Sequence, residues 1–423
     1  MRILRARWLF PVATPPIADG AVAVEAGRII GVGARADVEA AWPDAAGWDL
    51  GDTALLPGLV NCHTHLEIGP LPPEASPESF VPWVVRLIEA RRATSDTAQA
   101  RTAEAGVQAL LRSGTTAVGE VSTAGQSLLP LLRAGLRGVV YREVLGLAPE
   151  AAADRLAGAR ADTQAMRATA DGSLLTIGLS PHSPYALSEE LLRGCAGLVA
   201  RTGVAPAIHA AESPEESEFL TTGEGPILRS LYPAVGCLDP PPRGRARSVV
   251  AYLAGLGVLA WRPLLVHAVH VDEADCRTMT RCGVRVAHCP RSNARLSRGV
   301  APVPRLLEHG IPVGLGTDSL ASASSLDLWD EMRAALAAHA GRLDPSAALE
   351  MGTLGGARAL GMADRVGSLE AGKDADLIAV AARGVRAADP VGSLVAEVQG
   401  QDVLLSLIAG KIRYNRTEVV ACA

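Results

Sequence analysis

The stretch "PGLVNCHTHLEIGP", Pro57 to Pro70, decides the fold. An apolar run ends there in two histidines one residue apart, His63 and His65. Residues i and i+2 of a β-strand point to the same face. Both imidazoles therefore share one side of a strand end, and Thr64 takes the other. Imidazole is a good ligand for zinc or iron(II), so the pair reads as half of a metal site. Two ligands do not complete a catalytic centre, and the others must come from elsewhere in the chain.

Seven further apolar runs follow: "TTAVGEV", "GVVYREVLG", "LTIGLSPH", "APAIHAAE", "PLLVHAVH", "VRVAHCP" and "IPVGLGTD". Ala/Leu/Arg-rich stretches of helical period separate them, such as "TAQARTAEAGVQALLRSG", which closes on a Gly. Eight β runs alternating with helices predict an α/β fold, a (β/α)8 TIM barrel. A doubly wound open sheet is the alternative, disfavoured because no G-x-G-x-x-G follows the first strand. Both chain ends carry short β runs broken by Gly, Pro and Asp, among them "GAVAVEAGRIIGVG" and "DVLLSLIAGKIRY". The expected organisation is a small β-sandwich domain built from residues 1–56 and 366–423, beside a catalytic barrel of residues 57–365.

In such barrels the active site lies at the C-terminal ends of the strands. Here the runs end, in order, in His63 and His65, Glu120, Arg142 and Glu143, His182, His209 and Glu212, His267 and His270, His288, and Asp318. A lone strand-end His is usually a hydrogen-bonded structural residue. A titratable group on nearly every strand is hard to explain by packing.

The bulk composition is that of a soluble globular protein. The chain has 423 residues, 48% hydrophobic and 20% charged, with a formal net charge of −5. No basic stretch points to nucleic acid. Seven cysteines without a C-x-x-C pair read as reduced thiols of a cytoplasmic protein. No long apolar run predicts a membrane span, and "MRILRARWLFPVATPP" is too Pro-broken for a signal peptide. Only two of the 40 basic residues are lysines, Lys373 and Lys411, so Leu56 to Arg365 holds none.

His209 in "AIHAAES" and Asp318 in "GLGTDS" are the natural third and fourth metal ligands. A bound divalent metal lowers the pKa of its water towards about 7. Asp318 can ligate and also accept that water's proton. Glu212, three residues past His209, can carry a proton to the leaving group. His267 can hydrogen-bond the attacking oxygen as charge develops. Ser319 is read as shaping the pocket, not as a nucleophile. Trp83 is read as a lid over an aromatic ring of the substrate, and Glu67 as one of the substrate's hydrogen-bond partners. His288 is expected just behind the site and His270 against the following helix. His309 and His339 fall in helical stretches and are read as surface residues.

"PGLVNCHTH", "IHAAES", "LLVHAVHVDE", "HCPRSN", "LGTDSLAS" and "GSLEAGKDADLIAV" together resemble the amidohydrolase superfamily. Within it they resemble the aminohydrolases of cyclic amidines, which include adenosine-type, guanine and cytosine deaminases and triazine chlorohydrolases. The resemblance spans roughly Leu55 to Val380. It implies a barrel-plus-sandwich fold and one catalytic zinc or iron(II), held by His63, His65, His209 and Asp318. It also implies Glu212 as proton shuttle and His267 as the residue polarising water. Binuclear members bridge two metals through a carbamylated lysine. A barrel without lysine therefore implies one metal.

"SPHSPYALSEELL" resembles methylthioadenosine/S-adenosylhomocysteine deaminases, which implies that His182 faces the substrate. "HTHLEIGPLPPEASPESFVPWVVRLIEAR" and the insert "YPAVGCLDPPPRGRARSVVAYLAGLGVL" resemble deaminases of 6-amino-6-deoxyfutalosine in the futalosine route to menaquinone. That resemblance implies deamination of this nucleoside to futalosine and ammonia. The methylthioadenosine/S-adenosylhomocysteine reaction is the alternative, and triazine dechlorination a more distant one. The futalosine precursor carries a benzoate, and an arginine fork suits a carboxylate. Arg86, Arg142 and Arg295 are the candidates near strand ends. The expected partner is a small nucleoside, with no nucleic acid and no membrane. The superfamily leaves a homo-oligomer open.

Overall fold

The computed structural model describes residues 1–72, 79–240 and 245–416. Parts of two segments quoted above, residues 73–78 and 241–244, lie outside them. The chain opens with five strands: β1 (Arg2–Leu9), β2 (Ile17–Glu25), β3 (Arg28–Ala34), β4 (Ala46–Asp49) and β5 (Thr53–Pro57). Eight more follow: β6 (Leu59–Thr64), β7 (Thr115–Ser122), β8 (Arg137–Val144), β9 (Leu175–Pro181), β10 (Ala207–Ala210), β11 (Leu264–His267), β12 (Arg285–His288) and β13 (Val313–Leu315). The last three are β14 (Leu377–Ala381), β15 (Val403–Ile408) and β16 (Lys411–Asn415).

Strands β6 to β13 coincide with the eight apolar runs, and every pairing among them is parallel. They form two four-stranded sheets, β6-β7-β8-β9 and β10-β11-β12-β13. Two parallel bridges join the sheets at both seams, Leu179 to Pro206 and Thr64 to Asp318. The second seam is tightened by Asp318 N–H donating to the His63 carbonyl at 3.0 Å. The result is the expected (β/α)8 barrel, its strands buried on both faces as parallel strands require. The helix Asp96–Arg112 fills the first quoted helical stretch, and Ser95 caps it by accepting from Ala98 N–H.

The remaining strands form one mixed sheet, ordered β16-β15-β14-β5-β1-β2-β3, with β4 also on β1. Its central joint is the antiparallel pair β5–β14, which unites the two chain ends. The sheet bends round a shared core of Leu4, Leu9, Val22, Leu55, Leu377 and Leu405. Its two outer hairpins meet at their turns, Ala26-Gly27 and Ala409-Gly410, all four residues having positive φ. A Cβ on Gly27 would lie 2.6 Å from the Ala409 carbonyl oxygen, so this contact requires glycine. No helix among the described residues is long and apolar enough to cross a membrane.

Candidate active site

At the C-terminal end of the barrel, three imidazoles converge. His209 Nε2 lies 3.2 Å from His63 Nε2 and 3.3 Å from His65 Nε2. Asp318 Oδ1 is 3.6 Å from His63 Nε2. Thr64 does point away: its hydroxyl donates to Glu120 Oε2 at 2.6 Å. Glu120 also accepts from Leu66 N–H, so this strand-end carboxylate braces the His63–His65 segment from behind.

The donor set fits a divalent metal. Burial, then the neighbouring His63 imidazole, pushes His65 down to about 3. Burial and the neighbouring imidazoles hold His209 well below the usual range. Both rings are therefore neutral at ordinary pH. His209 Nδ1 donates to the His182 carbonyl at 2.9 Å, which leaves Nε2 as the bare nitrogen. With His209 Nε2 bare and the Nε2 atoms of His63 and His65 3.2 and 3.3 Å away, the three rings offer convergent nitrogen donors for a cation placed among them.

The backbone is strained around this point. Ala211, His267, Ala268 and Asp318 all have positive φ, at 53°, 74°, 46° and 58°. Such conformations cost on the order of 1–3 kcal/mol each and persist where the surroundings enforce them. Here Val269 and His270 both donate to the Ala211 carbonyl, and Ala268 to that of Ala210.

Glu212 and His267 sit beside the imidazole cluster, 3.3 Å apart. His267 Nδ1 donates to Asn293 Oδ1 at 2.9 Å, which turns its other nitrogen towards Glu212. Asp318 Oδ2 accepts from Ser292 at 2.6 Å and Ser322 at 2.9 Å. The quoted "PRSN" thus acts through Ser292 on the carboxylate and Asn293 on the imidazole. Burial pushes Glu212 up, against the pull of Arg298. Burial opposes charge on Asp318, but His63, His267 and Arg298 together outweigh it and hold the carboxyl well down.

These groups floor a cavity of about 780 Å³. The model of the Amidohydrolase family matches residues 54–413. The chain belongs to the amidohydrolase family. It is similar to the 5-methylthioadenosine/S-adenosylhomocysteine deaminase of Syntrophobacter fumaroxidans, 34% identical over 405 residues, which cover 93% of this chain and 87% of that one. It is also 34% identical to the aminodeoxyfutalosine deaminase of Deinococcus radiodurans over 349 residues, 81% of each chain. A zinc-bound adenosine deaminase from Xanthomonas campestris matches the structure with a TM-score of 0.83. The two are 25% identical, and the match covers 100% of this chain and 94% of the other.

The amidohydrolase cavity takes in most of the expected residues. His65, Trp83, His182, His209, Glu212, His267, Asp318 and Ser319 all line it. His182 Nδ1 is held by Glu143 Oε1 at 2.7 Å. Burial disfavours a charged His182, but the Glu143 and Glu212 carboxylates together outweigh it and raise the imidazole.

Two substrate-facing expectations are corrected. Glu67 is not on the cavity wall: its carboxylate accepts from the Ser122 hydroxyl and from Thr123, Ala124 and Ser127 N–H, organising the loop after β7. Arg142 faces outward. It alternates with inward-facing Glu143 along β8, and its guanidinium pairs with Asp162 at 2.8 Å on the helix Ala152–Ala170. Arg86 and Arg295 are not on the wall either. The arginines that line the cavity are Arg91, Arg92, Arg155 and Arg298. His339 is buried rather than exposed, its ring 6.1 Å from that of His288. His270 fixes a loop instead of a helix, through Nε2 and the Arg298 carbonyl at 2.7 Å.

Proposed function

We propose that this amidohydrolase hydrolytically deaminates an adenine-type nucleoside, and most narrowly converts 6-amino-6-deoxyfutalosine to futalosine and ammonia in menaquinone biosynthesis. The observation that carries the broader reading is the convergence of His63, His65, His209 and Asp318 on one point, with Glu212 and His267 beside it. These four residues would hold one zinc or iron(II), and the metal's contribution is to acidify a water at neutral pH. Asp318 takes the proton of the water that attacks C6. Glu212 delivers a proton to the ring nitrogen next to C6. His267, fixed by Asn293, hydrogen-bonds the attacking oxygen. As the C6–N bond breaks, Asp318 passes its proton to the amino group, Glu212 takes the proton of the C6 hydroxyl as C6=O forms, and ammonia leaves.

The narrower reading draws on the outer cavity. Leu87, Ile88, Leu147 and Val235 give an apolar wall, while Arg91, Arg92 and Arg155 supply positive charge. An apolar ring ending in a carboxylate suits that combination. The second reading, S-adenosylhomocysteine, is favoured by Glu150 and Asp239 on the same wall, which would meet an ammonium, and by the relative bearing that name.

Ammonia release from 6-amino-6-deoxyfutalosine, S-adenosylhomocysteine and methylthioadenosine, with chloride release from a chlorotriazine, tests both levels. The expected result is the highest kcat/KM on the futalosine precursor. Turnover of only the sulfur nucleosides would overturn the narrower reading. No ammonia from any nucleoside by the metal-loaded protein would overturn the broader one.

A further inference from the structure

Arg298 is 1% exposed, and no feature of the reaction above calls for a cation at its position. It follows the helix Pro290–Arg295 in a short loop where Ser297 (φ 52°) and Gly299 (φ 107°) are both left-handed. His270 pins this loop through the Arg298 carbonyl, and Arg298 N–H donates to the Asn293 carbonyl at 2.9 Å. The guanidinium therefore enters the site on a fixed backbone. Its Nη1 lies 2.6 Å from Glu212 Oε1, 3.3 Å from Ser292 Oγ, 3.4 Å from His267 Nε2 and 3.7 Å from Asp318 Oδ2. Its Cζ stands 5.1 Å and 5.4 Å from the rings of Phe80 and Trp83, both on the cavity wall.

We infer that Arg298 is the positioning residue of the proton shuttle: by holding Glu212 Oε1 it leaves Oε2 as the oxygen that carries the proton to substrate. The geometry distinguishes this role from a plain buried ion pair. A bidentate arginine–carboxylate pair would occupy both carboxylate oxygens. Here one nitrogen meets one oxygen, and Nε has no hydrogen-bond partner among the described residues. The loop, the aromatic wall and the single contact together fix the rotation of the Glu212 carboxylate. Proton transfer depends on that rotation, because donor and acceptor must come within hydrogen-bond reach.

The inference rests on the shuttle role proposed for Glu212, so its test needs a reading that does not require turnover. Infrared difference spectra between wild-type protein and Glu212→Gln assign the Glu212 carboxylate band. In metal-loaded Arg298→Met that band is expected to shift, and an unmoved band would overturn the pairing even if no nucleoside were turned over. On a nucleoside that the wild type deaminates, Arg298→Met should lower kcat on the order of 10²-fold. KM should move by no more than about twofold, the usual error of additivity, and metal content should stay at the wild-type level. Arg298→Lys, the milder variant should Met not fold, should recover part of kcat. In the Glu212→Gln background, Arg298→Met should cost no more than about twofold further. Losses that multiply in the double variant, or a kcat loss that tracks loss of metal, would show that Arg298 acts on something other than Glu212 and overturn the assignment.

Discussion

Two arginines are buried in ion pairs at opposite ends of the barrel, and they are built differently. Arg137 opens β8 at the N-terminal face. Its Nε and Nη2 donate to the two oxygens of Asp376 at 2.7 and 3.1 Å, and Nη2 lies 2.7 Å from Asp374. Asp376 Oδ1 also accepts from Ala409 N–H at 2.7 Å, so one cluster ties the barrel to the terminal sheet. Arg298, at the C-terminal face, makes one close contact to a carboxylate, and its Nε on the cavity wall has no hydrogen-bond partner among the described residues. Burying an ion is costly, and the cost is offset only by excellent geometry and extra hydrogen bonds. Arg137 has both. The incomplete pairing of Arg298 makes sense only if the site gains from a charge held there. The same residue type thus reads as stability at one end of the barrel and as positioning at the other, matching the division of labour between the two faces of this fold.

The largest expected effect lies at the C-terminal end. His209→Ala removes the imidazole shared by both short nitrogen contacts. Elemental analysis should find the metal lost, and activity should fall on the order of 10⁴-fold, about 5 kcal/mol of transition-state stabilisation. Chelation of the wild type should reproduce the loss, and added zinc or iron(II) should restore only the wild type. Full metal content in the variant would break the proposed ligand set.

Next in size is the structural arginine. Arg137→Ala leaves Asp376 buried without its main partner, while Asp374 keeps Arg365 at 2.6 Å; the change should cost about 3–5 kcal/mol in urea unfolding. The kcat of the protein that remains folded should not change. A fall in kcat at unchanged stability would erase the contrast between the two faces.

What could be read from sequence follows the same division. The strand ends were legible because apolar runs stop at polar residues at the rim, and because i, i+2 spacing fixes a shared face for His63 and His65. The same rule separates Arg142 from Glu143. Adjacent strand residues cannot both face inward, so choosing the arginine for its charge chose the outer face. Arg298 left no such trace, since it sits in a loop set by positive φ at Ser297 and by a His270 contact 28 residues away in sequence. Glu67 was misplaced for a related reason. Its four donors come from the last residue of β7 and the loop after it, a partnership no local pattern announces.

The smallest expected effect concerns a third kind of arginine. Arg155 is exposed on the outer cavity wall and has, among the described residues, neither a bidentate partner like that of Arg137 nor a fixed contact like that of Arg298. An exposed guanidinium can contribute to binding a substrate tail but has no reach into proton transfer. Arg155→Ala should therefore raise KM about tenfold for a nucleoside ending in a carboxylate, and leave kcat nearly unchanged, as expected when binding is lost equally from ground and transition states. Methylthioadenosine, whose tail is neutral, serves as the control and should show no change in KM. An equal rise for both substrates would mean that Arg155 shapes the wall instead of meeting a charge, and the anionic tail in the narrower substrate reading would lose its strongest support. A change confined to kcat would be more damaging, because it would carry proton-transfer geometry out to the rim and dissolve the distinction between a fixed inner arginine and a free outer one.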